Sequence, residues 1–192
     1  MERFRYGTKE IIATLAGAAL FVFAEWIEGY FIANGVVSPK LYEWVQLRVL
    51  VVAIVAAFFG PVSGLFCGVG GDLLINVMYE SVISYPEVIV LGLYGLLVGY
   101  YYCRMHSDPA EFCAATFVDF NVVQIAVAIF CSMFTVPMLR FLFEGANLYH
   151  SVEIGAKSTV GNSVITGIIC PVIMAIVSKV KKARKKDGVL GT

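Results

Sequence analysis

The chain has 192 residues, of which 59% are hydrophobic and only 15% charged, against about 45–50% apolar and about 25% charged in ordinary soluble domains. That balance excludes a water-soluble globule, and a formal net charge of zero excludes the broad basic surface that binding nucleic acid needs. A bilayer core of about 30 Å takes roughly 20 helical residues per crossing, so the length supplies about six spans with short connections and leaves no room for a soluble domain.

The expected fold is therefore an all-α integral membrane protein, a bundle of six transmembrane helices over residues 1–178 followed by a basic tail over 179–192. The first span is placed at 10–34, too long and too closely followed by further spans to be a cleaved signal peptide. It is apolar until Glu25 and Glu28 appear near its far end. From Val49 to Gly71 no charge occurs, but Gly60-Pro61 divides this stretch. Proline lacks the N–H donor and disfavours helix in the preceding residue, while glycine permits a reversal. Spans two and three are thus placed at 42–59 and 62–79. The fourth is placed at 87–104 and the fifth at 112–139. The segment RFLFEGANLYHSVEIGAK is expected to be the longest loop, and the sixth span to occupy 158–177.

Lysines and arginines near span ends set orientation. Lys179, Lys181, Lys182, Arg184, Lys185 and Lys186 put the C-terminus in the cytoplasm, and Arg3, Arg5 and Lys9 put the N-terminus there too. Both ends on one side require an even number of spans, which agrees with the break at Gly60-Pro61.

In that topology the polar residues gather in the outer half. Glu25, Glu28, Gln46, Arg48, Asn76 and Glu87 lie toward outer ends, Asn162 lies about one turn into span six, and Asp72, Asn121 and Gln124 lie deeper. Ionised groups at membrane depth face a bundle interior, a partner or a wet cavity. An outward-facing cavity is one reading. The other is structural, with Arg48 neutralising Glu28 or Asp72 and Trp26, Tyr30, Tyr42 and Trp44 serving as interfacial anchors.

Small residues recur at helical spacing: Ala13 and Gly17, then Gly60, Gly64 and Gly68, then Gly92, Gly95 and Gly99. Such stripes let helix backbones approach closely, either within the bundle or, on span one, against another membrane subunit. No catalytic constellation is present. His106 and His150 fall in loops on opposite sides, and there is no nucleophile elbow, zinc-protease motif or phosphate-binding loop ending in G-K-[ST]. The five cysteines form no C-x-x-C pair and read as small buried hydrophobes. No cofactor or metal is expected, and uphill transport would draw on a partner or an ion gradient.

Several segments, ATLAGAALFVF, VQLRVLVVAIVAAFFGPVSGLFCGVGGDLL, LGLYGLLVG, FNVVQIA and the spaced Gly161, Asn162 and Gly167, resemble in order the substrate-binding S component of energy-coupling factor (ECF) vitamin transporters. The nearest branch is that of ECF-type riboflavin transporter S components. The resemblance implies a multi-pass protein of a bacterial cell membrane that captures a vitamin from outside with high affinity. It implies a pocket at the outer ends of spans four to six, capped by outer loops. It also implies association with a membrane-spanning coupling subunit and two cytoplasmic ATPases, with no ATPase site in this chain.

Family members carry A-x-x-x-A in span one for docking on the coupling subunit, and Ala13 and Gly17 occupy a similar spacing with glycine in place of one alanine. Asp72 stands where the branch often has histidine. Asn121, Gln124 and Asn162 match polar positions of the branch. These amides suit a neutral polar heterocycle such as a flavin, with Tyr42, Trp44 or Tyr85 able to stack on it. Glu25, Glu28, Asp72 and Glu87 suit instead a cationic, thiamine-like or amine-bearing solute. The expected substrate-binding set is Glu28, Tyr42, Trp44, Arg48, Asp72, Asn76, Tyr85, Glu87, Asn121, Gln124 and Asn162, and the expected partner-binding pair is Ala13 and Gly17. A self-sufficient channel or ion-coupled carrier running past Glu28, Arg48 and Asp72, and a purely structural membrane protein, are the alternatives.

Overall fold

A computed structural model describes residues 7–79, 84–105 and 113–190. Expectations that rest on Arg3, Arg5 and His106 lie outside the described residues. Among the described residues every regular element is helical: α1 (Thr8–Ala33), α2 (Pro39–Tyr42), α3 (Leu47–Phe59), α4 (Pro61–Tyr79), α5 (Tyr85–Met105), α6 (Ala114–Ala128), a π-helical segment (Ile129–Thr135), α7 (Val136–Glu144) and α8 (Leu148–Leu190). Five helical stretches are long and apolar enough to cross a membrane, namely Thr8–Ala33, Pro61–Tyr79, Tyr85–Met105, Ala115–Glu144 and Leu148–Val180.

α3 has 13 residues, about 20 Å at 1.5 Å per residue, and falls short of a full crossing of about 30 Å. It begins five residues later than the 42–59 span expected, because Gln46 is extended (φ −133°, ψ 106°). Its surroundings are protein: Val49, Val52, Ala53, Val55, Ala56 and Ala57 are all buried, and α1, α4, α5 and α8 pack around it. The break after it falls where Gly60-Pro61 places it. Gly60 has φ +93°, in the region that disfavours a side chain, and Pro61 opens α4 in the first-turn position where its missing N–H costs nothing.

Two stretches differ from expectation. The 140–157 segment is helical except at residues 145–147. Gly145 ends α7 in the left-handed conformation (φ +64°), and Asn147 Oδ1 accepts from His150 N at 3.3 Å to open α8, two standard helix-end devices. The last helix also continues without a break into the basic tail. Between α6 and α7 the helix widens into the π-helical segment just before Pro137. Proline there cannot donate to the Met133 carbonyl and its ring presses on it, and a wider turn accommodates both.

α4 and α5 make the most extensive packing in the bundle. A Cβ on Gly64 would lie 2.6 Å from both the Gly95 carbonyl oxygen and the Ala56 Cβ, so only glycine lets these backbones meet. At the other end of α5, Tyr102 is fully buried, stacks edge-to-face on Phe120 at 5.6 Å and donates to Met174 Sδ at 3.5 Å. That joins α5, α6 and α8. Because the helices alternate in direction, the start of α1, the Gly60-Pro61 turn and the end of α8 share one end of the bundle. The opposite end collects the C-terminal parts of α1, α4 and α7 and the N-terminal parts of α3, α5 and α8.

Candidate functional site: a polar end around Arg48

That opposite end carries most of the buried charge. Arg48, in the first turn of α3, is 6% exposed and is held from three sides. Its NH1 donates to Asp72 Oδ1 of α4 at 3.1 Å, its NH2 to Glu87 Oε2 of α5 at 3.2 Å, and its Nε lies 3.7 Å from Glu25 Oε2 of α1. Glu87 uses its second oxygen on Arg140 of α7. Asp72, 1% exposed, uses its second on the Asn76 amide at 3.2 Å, and Asn76 Oδ1 accepts from Ser84 N at 2.9 Å. One guanidinium thus ties α3 to three other helices, and Glu87 extends the network to a fifth. Each charge buried here is paired, as burial requires.

A second set of contacts straps residues 38–46, including α2, across this end. Glu28 Oε1 accepts from Leu47 N at 2.7 Å, filling one of the donors left open at the start of α3 with a carboxylate that the helix dipole favours. Asn162 Oδ1 accepts from Gln46 N at 2.7 Å, and its amide donates to Ser158 Oγ at 2.9 Å. Lys157 pairs with Glu43 at 3.2 Å. Gly161 lies against the Trp44 carbonyl so closely that a side chain there would collide with it.

Beneath the strap lies a cavity of about 90 Å³ between α3, α5, α8 and the α6–α7 rod, room for roughly six to nine waters at about 10–15 Å³ each. Arg48, Glu87, Arg140, Gln46 and Asn162 line its outer part, and Tyr94, Ala128 and Cys131 its inner part. Ser132 and Val136, in and just after the π-helical segment, also line it, so the widened turn shapes the cavity wall. Arg140 has a spare donor, since its Nε is buried and makes no hydrogen bond. Among the described residues no three His, Cys, Asp or Glu side chains are grouped as for a metal ion.

The structure brings together some of the residues expected from sequence and separates others. Arg48, Glu87 and Asn162 line the cavity. Asp72 and Asn76 stand behind Arg48, and Glu28 caps α3. Gln124 is fully buried below the cavity, with Nε2 donating to the Ser163 carbonyl at 3.0 Å. Asn121 turns to the α6–α8 contact, donating to the Phe117 and Gly167 carbonyls. Trp44 and Tyr85 are 42% and 59% exposed and neither lines the cavity, whose one aromatic is Tyr94. Tyr42 ends α2. Ala13 and Gly17 face into the bundle, where a Cβ on Gly17 would lie 2.7 Å from Val55 Cγ2 and 2.9 Å from Cys67 Sγ.

Arg140, Tyr94, Ser132, Ser151 and Ser158 also line the cavity and were not singled out from sequence. Arg140 carried a usable signal, an arginine within helical reach of a long apolar run. It was hidden because 140–157 read as a loop.

A UPF0397 protein of Staphylococcus aureus (strain bovine RF122 / ET3-1) is 28% identical over 192 residues, covering 97% of this chain and all of its own. A UPF0397 protein of S. aureus strain USA300 is 27% identical over 176 residues, 91% of each chain. No solved structure matches. The family model described as "ECF-type riboflavin transporter, S component" matches residues 5–179. That family consists of membrane transporter subunits, not enzymes, which bind a small substrate and work with ECF coupling and ATPase modules. This chain belongs to the ECF-type riboflavin transporter S component family.

Proposed function

We propose that the cavity beneath residues 38–46 is where this S component captures its solute, and that the solute is an uncharged polar heterocycle. The bundle has six membrane helices, with both chain ends on the cytoplasmic side and the polar end facing out. The short α3 serves as the sixth member because protein rather than lipid surrounds it. The basic end of α8 supports the orientation through the positive-inside rule.

The observation that carries the substrate class is the state of the acidic groups. Asp72, Glu87 and Glu25 converge on Arg48, Glu87 also holds Arg140, and Glu28 is engaged through one oxygen at the start of α3. Of these, only Glu87 lines the cavity, and both its oxygens are held by guanidinium groups. Glu28, whose second oxygen is unfilled, stands outside the lining. A cation entering would thus meet no free carboxylate there, and two guanidinium groups would oppose it. A neutral solute meets the spare Arg140 donor and the serine hydroxyls of the wall without disturbing a charge pair.

At about 90 Å³ the cavity is below the roughly 300 Å³ at which small-molecule pockets begin. Capture therefore requires the strap of residues 38–46 to lift, breaking the contacts from Asn162 and Lys157. After capture, the chain docks on a coupling membrane subunit driven by two cytoplasmic ATPases. The test is equilibrium binding of tritiated riboflavin and tritiated thiamine to the purified protein. Riboflavin, which is neutral, is expected to bind, with the Arg140→Ala variant weaker by about tenfold for one lost charged hydrogen bond. Binding of thiamine alone refutes the neutral class.

A further inference from the structure

One helical turn below the cavity floor, α5, α6 and α8 bring together polar atoms that the protein leaves unfilled. Gln124 is fully buried, and although its Nε2 is used, its Oε1 accepts no hydrogen bond. The buried hydroxyls of Ser163 and Thr166 make none either, and the Tyr94 hydroxyl approaches Thr166 without closing a bond of normal geometry. Gln124 is four residues before Ala128 and Thr166 four after Asn162, and Ala128, Asn162 and Tyr94 all line the cavity. The unfilled atoms thus form one layer immediately beneath it.

Native interiors leave few buried polar atoms unpaired, and each such atom calls for a reason. Helical hydroxyls have an easy alternative, the carbonyl four residues back. In this same chain Thr159 takes it, donating to the Gly155 carbonyl at 2.8 Å, and so does Thr14, donating to the Glu10 carbonyl at 2.7 Å. Ser163 and Thr166, on the same helix as Thr159, do not. Their hydroxyls are left available, that of Thr166 beside Tyr94.

We propose that this layer is a second recognition subsite, which takes the hydrogen-bond-donating end of the solute. The inference rests on the capture reading above and adds to it the solute's chemistry at depth. The Gln124 oxygen can only accept, so the group it meets must donate. The three hydroxyls can each donate or accept and adapt to what remains. The layer holds no arginine, lysine, aspartate or glutamate, so a charged group would be desolvated without a partner. The group that fits is an uncharged N–H or O–H cluster, such as an amide, an imide or a polyhydroxylated chain. The solute is then two-ended, with an acceptor at Arg140 and donors at the floor.

Trapped water is the competing occupant, and two substitutions distinguish them. Thr166→Val is nearly isosteric, and Ser163→Ala removes only an unfilled hydroxyl. Both are purified free of solute, their thermal unfolding in detergent is compared with wild type, and riboflavin affinity is measured as the neutral polar probe. The expected result is an unfolding temperature no lower than wild type in either variant, since an unfilled hydroxyl contributes nothing to the free protein. Riboflavin Kd rises about tenfold, the effect of one lost hydrogen bond in a closed site.

A lower unfolding temperature in both variants overturns the proposal, because it means that water already fills the layer and stabilises it. An unchanged Kd overturns it as well. If wild type binds no riboflavin, the capture reading fails on its own measurement. The unfolding comparison then decides the layer alone, an unlowered temperature supporting an unfilled acceptor site and a lowered one refuting it.

Discussion

Replacing Arg48 by methionine is the most informative perturbation of the polar end. Methionine matches much of the arginine stem but removes the guanidinium that faces Asp72 at 3.1 Å, Glu87 at 3.2 Å and Glu25 at 3.7 Å. Glu87 keeps Arg140, and Glu25 is partly exposed, with 19% of its side chain accessible. Asp72, at 1%, keeps the Asn76 amide but loses the guanidinium that offsets its buried charge. Breaking a buried pair from one side costs about 3–5 kcal/mol.

For a chain of about this size each kcal/mol moves the unfolding midpoint by about 2–4 °C, so the expected fall is roughly 6–20 °C. Adding Asp72→Asn to Arg48→Met removes the stranded charge while keeping an acceptor for Asn76, and should recover at least about half of that loss. The assay is the loss of monodisperse protein with temperature, followed by size-exclusion chromatography in detergent. A single variant as stable as wild type, or a double variant no better than the single one, would refute the view that Arg48 holds the helix ends together.

Other expectations follow from packing. Gly64→Leu drives a side chain into the Gly95 carbonyl and Ala56 and should prevent recovery of folded protein altogether; normal yield would contradict the close α4–α5 contact. Gly17→Leu meets Val55 and Cys67 and should destabilise the isolated protein by about 1–3 kcal/mol. If its unfolding midpoint is unchanged and only association with a coupling subunit is lost, Gly17 belongs to a docking surface instead. Asn162→Ala removes the acceptor for Gln46 N, a loss of about 1–2 kcal/mol, and should speed proteolytic cleavage within residues 38–46. An unchanged cleavage rate would show that Asn162 does not hold the strap.

The sequence was most legible where a local rule had no competitor. Gly60-Pro61 interrupts an apolar run without any tertiary help, and the helix ends there. Intramembrane charge was legible as a set, because Arg48 lies among several acids and must be paired somewhere. Which acid it chooses depends on helix rotation, and the structure gives it three.

Legibility failed where polar composition and helical structure coincide. Residues 140–157 read as a loop because charged and small residues crowd there, yet a glycine in the left-handed conformation and an asparagine cap confine the break to residues 145–147. That error hid Arg140. The small-residue stripe of α1 allowed packing within the bundle or docking on another subunit, since spacing fixes a face but not the direction in which it points. The unfilled layer at Gln124 was invisible for a related reason: a missing hydrogen bond is a property of three helices at once.

The measurement that bears most directly on the central claim is native mass spectrometry of the protein extracted gently from its own membranes, with the released small molecule identified. One equivalent per chain of an uncharged polar heterocycle, with lower occupancy on Arg140→Ala, is the predicted result. A permanently cationic or primary-amine solute, retained when Arg140 is removed, would contradict the account.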